Sequence, residues 1–184
     1  MFRSVLLVLW IALLSGCSSL ATYEVNEADL EGYLQKAVKR LDEQQAQQGS
    51  PLSVSLQEVH INVGPDNRDV VVLDAKGQAE LNALVTKIPV DVALKIEGAP
   101  VYSGKDKAVY IRRLHLINSD IKSPYVKGDI KPVTDMLMNL LTNMLETMPV
   151  YRLDESDPKQ RMLANMPVDI VVGSGVLKIV PQKD

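Results

Sequence analysis

Cys17 is the only cysteine in the 184-residue chain, and it stands where chemistry is easiest to read. It closes the string Leu14-Ser15-Gly16-Cys17, behind Met1-Phe2-Arg3-Ser4 and an unbroken apolar run over residues 5–14. A short basic start with about ten apolar residues is an export signal, too short to span a bilayer. A branched apolar residue and two small ones ahead of a cysteine match the lipobox. Small residues let a peptidase hold the extended backbone close, and the thiolate is the nucleophile that takes a diacylglyceryl group through a thioether. The expectation is export, cleavage before Cys17 and acylation there, palmitate-type chains included. A plain signal with a chance cysteine is the weaker alternative, because Cys17 occupies the one position a lipobox requires. A lone cysteine also leaves no intramolecular disulfide.

The other reactive types are less organised. His60 and His115 each lie between apolar neighbours on a strand pattern, so both should face solvent, and no partner stands at a ligand spacing. Arg112-Arg113 reads as a solvated bulge before it reads as an anion contact. Ser174 in Val172-Gly173-Ser174-Gly175 lacks the rest of a nucleophile elbow and reads as a hairpin turn. Tyr102, Tyr110, Tyr125 and Tyr151 either ring a pocket mouth or cap the core with their hydroxyls out. No acid, base, nucleophile or metal set converges, so neither catalysis nor a cofactor is expected.

Two or three acyl chains on Cys17 would hold firmly, since each buried methylene is worth roughly 0.8 kcal/mol. Ser18 follows Cys17. The absence of aspartate there favours the outer membrane, periplasmic face, in a two-membrane organism. Without residues 1–16 the chain loses only Arg3, leaving 19 basic against 23 acidic residues, a net charge of −4. No basic stretch could neutralise phosphates, so nucleic acid is excluded as a partner. Trp10 and Phe2, the only residues of their types, both lie in the signal. The remaining core must be aliphatic with a few tyrosines, which suits acyl chains without requiring them.

The elements follow from periodicity. Residues 17–25 read as a lipidated tether and residues 26–184 as one domain. Asn26 is a helix N-cap, and Leu30, Tyr33, Leu34, Ala37, Val38 and Leu41 recur at helical spacing until Gly49-Ser50-Pro51. From residue 52 to about 121 the period is two, with phase slips at Gln57-Glu58 and Arg112-Arg113 that read as β-bulges. Gly64-Pro65-Asp66-Asn67 is a turn. Val133, Met136, Leu137, Leu140, Leu141, Met144, Leu145 and Met148 form an apolar stripe on a second helix, which Pro149 ends. A short strand over residues 150–153, a small helix opened by Asp157-Pro158 and a terminal β-hairpin complete the chain. The fold class is α+β. A curled antiparallel β-meander of about four long strands wraps a long amphipathic helix, with a helix before it and a hairpin after it.

Tyr23 ahead of Asn26-Glu27-Ala28-Asp29-Leu30, Pro100-Val101-Tyr102 before Ala108-Val109-Tyr110-Ile111, Pro149-Val150-Tyr151-Arg152-Leu153 and Val176-Leu177-Lys178-Ile179-Val180-Pro181 form a recurring pattern. The chain resembles the YceB-like bacterial lipoproteins, a family defined by a domain of unknown function. That family's fold is similar to one half of the tubular lipid-binding (TULIP, BPI-like) proteins, in which a curled sheet wraps a long helix and the gap holds lipid. The resemblance implies lipidation of Cys17 and no catalytic residue.

A lipid or other apolar ligand is therefore expected between helix and sheet. Leu137, Leu140, Leu141, Met144 and Leu145 would form the helix wall, and Val92, Leu94, Val109 and Ile111 the sheet wall. Ordinary core packing is the bland reading of each residue taken singly. The alternative function is a closed, non-enzymatic docking module for an envelope protein.

Overall fold

The computed structural model describes residues 22–47, 52–83, 86–124 and 131–182. In chain order they form β1 (Tyr23–Asn26), α1 (Glu27–Gln47), β2 (Leu52–Val63), β3 (Val71–Ala83), β4 (Thr86–Ser103) and β5 (Ala108–Lys122). Then come α2 (Lys131–Thr147), β6 (Tyr151–Arg152), α3 (Pro158–Ala164), β7 (Val168–Gly173) and β8 (Val176–Pro181). The expected α+β class holds.

Strands β2 to β6 make one curled antiparallel sheet in sequential order. Its inward face is a continuous set of rungs: Leu73 opposite Ile96, Ala75 opposite Leu94, Gly77 opposite Val92, and Ala79 opposite Val90. Both expected slips are present. Register shifts between Leu56 and Glu58, leaving Gln57 unopposed. On β5, Arg113 and Leu114 face Gly98 alone, and Arg113 takes a φ of 55°. A Cβ at Gly98 would collide with Ile111 Cγ2 and stand 2.8 Å from Leu114 Cδ2, so glycine is needed where the sheet bends. A third irregularity leaves Ile117 unopposed and exposed. It is hidden in the sequence because Leu114, Leu116 and Ile117 all read as apolar.

One expectation is corrected. Tyr23, Glu24 and Val25, read as part of the tether, pair with Ile179, Lys178 and Leu177 in β1. The expected terminal hairpin is present, and it joins β1 in a separate three-stranded sheet, ordered β1-β8-β7. Val25, Leu177 and Ile179 of that sheet are fully buried. Each such side chain contributes about 1.5–3 kcal/mol relative to exposure.

Local chemistry fixes the helix starts. Asn26 Oδ1 accepts the Asp29 N–H at 2.9 Å while Asp29 Oδ2 accepts the Asn26 N–H at 3.4 Å, a reciprocal cap. Asp157 Oδ1 caps α3 by accepting from Lys159 N at 3.0 Å and Gln160 N at 2.8 Å. The main core gathers α1 (Leu30, Leu34), the C-terminal half of α2 (Met144, Leu145), α3 (Leu163) and both sheets. A smaller cluster of Ala79, Val90, Leu94, Ile121 and Leu137 lies under the N-terminal half of α2.

Candidate ligand cleft

α2 crosses the concave sheet with its stripe inward, but its two halves pack differently. Met144 and Leu145 are buried in the main core. Leu140 and Leu141, one to two turns earlier, are only half-buried, and Met136 is 38% exposed. The sheet beneath them is covered just as incompletely: Leu56, Ala75 and Val92 are half-buried on the inward face. Apolar walls that face one another and still meet solvent enclose unfilled space. Here it is a cleft of about 70 Å³ between Leu137, Leu140 and Leu141 on α2 and Ala75, Gly77, Ala79, Val92 and Leu94 on the sheet.

A second apolar cleft of about 30 Å³ lies one rung along the strands, where Leu73 pairs with Ile96. Leu30 and Leu34 of α1, Ile61, Ile111, Leu145 and Val150 close it. The larger cleft is about half the ~150 Å³ of an engineered apolar cavity that takes benzene. As it stands it is too small to hold a whole acyl chain.

Five of the nine expected wall residues, Leu137, Leu140, Leu141, Val92 and Leu94, come together around the larger cleft. Leu145 and Ile111 line the smaller one. Met144 and Val109 line neither and are buried in the main core. Cys17 lies outside the described residues. The sequence reading missed Ala75, Gly77 and Ala79, although Ala-x-Gly-x-Ala on an inward face is a signal for room. It missed Leu30 and Leu34 as cleft residues because it gave α1 no place against the sheet.

Among the described residues, no tyrosine lines either cleft. Tyr110 is on the outer face of the sheet, with the Arg112 guanidinium 5.1 Å from its ring centroid. Tyr151 stacks on Tyr23 with ring centroids 6.1 Å apart, and Tyr125 is outside the described residues. His60 and His115 are exposed, and Ser174 turns the hairpin with Gly175. No described helix is long and apolar enough to cross a membrane.

The sequence profile of a family described as "Protein of unknown function (DUF1439)" matches residues 25–176. No curated protein matches the chain. A crystal structure of lipopolysaccharide binding protein superimposes with a TM-score of 0.27 at 11% identity, over 89% of this chain and 49% of that one. The chain thus spans about half the length of that protein, and likeness at this level says nothing about a ligand.

Proposed function

The chain belongs to the DUF1439 family, whose description assigns no activity, and from its geometry we propose a lipid-anchored, non-enzymatic binder of acyl chains or similar apolar ligands. The observation that carries this reading is the cleft under the N-terminal half of α2, where apolar walls meet without filling the space between them. Lys76 is the one charged residue along it; it bonds Glu58 Oε2 at 2.8 Å instead of serving the cleft.

In this reading α2 is a lid. Its C-terminal half is held by Met144 and Leu145, and its N-terminal half lifts to let a chain lie along the rungs of β3 and β4. Burying sixteen carbons is worth roughly 12 kcal/mol before association costs. That margin covers the loss of a few half-made apolar contacts. Anchoring through Cys17 would hold the cleft beside a membrane, the outer membrane by the Ser18 argument, with the domain in the periplasm. The narrower resemblance to YceB-like and TULIP proteins fits this reading.

The test is native mass spectrometry of the full chain in detergent, paired with titration of a fluorescent fatty acid. One acyl chain per molecule is expected, with uptake sharply reduced by Leu141→Trp, which plugs the cleft. A chain that takes up no fatty acid, or that takes it up equally well with Trp at that position, would remove the proposal.

A further inference from the structure

α1 runs beside β2, the edge strand of the five-stranded sheet, and closes only part of that edge. Glu27 Oε1 accepts the Val63 N–H at 2.9 Å, and Glu31 Oε1 accepts the Ile61 N–H at 2.8 Å. Four helical residues advance about 6 Å and two strand residues about 6.6 Å, so the helix and the strand stay in step. Positions 27, 31, 35 and 39 of the helix therefore stand level with positions 63, 61, 59 and 57 of the strand, the last two pairs across a groove. The first two carry carboxylates that accept edge N–H groups. The next two are Gln35 and Lys39, both exposed, and an ammonium has no lone pair with which to accept.

The Val59 N–H is in phase with those of Ile61 and Val63, and among the described residues it has no partner outside the sheet. A groove of about 350 Å³ opens at that level, lined by Gln35, Val38, Lys39, Leu56, Gln57 and Val59. We propose that this open half of the β2 edge docks a short extended segment of a partner protein, which adds as a strand beside residues 55–59 and sets a carboxylate against Lys39.

The chemistry of the occupant follows from the lining. An unclosed edge offers backbone groups only another extended chain can match, and alternate side chains of that chain give the specificity. One side would fall on Val38 and Leu56, and the other on Lys39. Lys36 and Arg40 lie beside Lys39 on the exposed face of α1, and among the described residues none of the three cations is in an ion pair. The bulge at Gln57 breaks the regular ladder and limits the docked segment to a few residues. This inference does not depend on the cleft under α2.

The experiment follows hydrogen exchange at Val59 in the full chain, in nonionic detergent, as a capped pentapeptide of alternating valine and glutamate is added. Exchange there should slow by about tenfold or more. Lys39→Glu should weaken the peptide by about tenfold. Gln35→Glu should supply a third carboxylate, slow Val59 exchange in the free protein and block the peptide. Unchanged exchange at about 1 mM peptide overturns the proposal, since binding weaker than that is worth under about 4 kcal/mol. So does equal binding by the same peptide N-methylated at alternate nitrogens, or full binding to the Lys39→Glu chain. Slowing that tracks protein concentration without peptide would assign the groove to a second copy, and would likewise overturn it.

Discussion

Tyr151 and Tyr102 show how one side-chain type takes opposite roles. The Tyr151 hydroxyl donates to Gln160 Oε1 at 2.9 Å and shares a hydrogen bond with Tyr23 Oη at 3.0 Å, while Gln160 Oε1 also accepts the Asp154 N–H at 2.9 Å. This network ties β1, β6 and α3 together. Burial first, and the bond to Tyr23 second, push the Tyr151 phenol well above the ordinary tyrosine range. Tyr102 Oη is buried with no hydrogen-bond partner among the described residues, and burial raises its pKa as well. Tyr151→Phe should cost about 1 kcal/mol at neutral pH, whereas Tyr102→Phe should be neutral or gain up to about 1 kcal/mol. The pH dependence has a definite sign. A phenol whose folded pKa is raised supports the fold below the unfolded value of about 10, and that support fades as pH climbs above it. Urea titrations at neutral pH and near pH 11 should therefore show a shallower alkaline loss in Tyr151→Phe. An equally steep loss would place the alkaline sensitivity on Tyr102 and Tyr110 instead.

At the scale of elements, α2 is one helix with two environments. Met144 and Leu145 are locked in the main core, but Leu140 and Leu141 look onto a cleft. If the N-terminal half lifts, amides of residues 137–141 should exchange about tenfold faster than those of 144–147. Uniform protection along the helix would rule out a lid. Much of this element was legible beforehand: the apolar stripe and the stop at Pro149 both follow from local rules. The same holds for the Asn26 cap, the bulge at Gln57 and the hairpin turn at Ser174-Gly175. What stayed hidden depends on partners distant in sequence. Tyr23-Glu24-Val25-Asn26 is too short to show a period, and its strand character comes from Leu177 and Ile179 at the far end of the chain. Glu27 and Glu31 read as ordinary helix carboxylates until β2 is placed beside them. Residues of the α2 stripe looked equivalent in sequence, and only the sheet separates those that fill the core from those that border space.

At the scale of the molecule, the pairing of β1 shortens the link between Cys17 and the folded domain to five residues, 18–22, roughly 18 Å at full extension. An acylated Cys17 would hold the cleft within about one domain diameter of the lipid surface. Two or three chains of about sixteen carbons, at roughly 0.8 kcal/mol per methylene, make such attachment permanent in practice. No helix among the described residues is long and apolar enough to cross a bilayer, and the net charge without residues 1–16 is −4. In the proposed reading, attachment rests on the Cys17 sulfur. Cells grown with labelled palmitate should incorporate label into the native chain, and intact mass should show that residues 1–16 are gone. Cys17→Ala should carry no label and keep those residues. Label on the alanine variant, or a native chain that retains its first sixteen residues without lipid, would detach the domain from the membrane and leave the cleft to serve a freely diffusing protein.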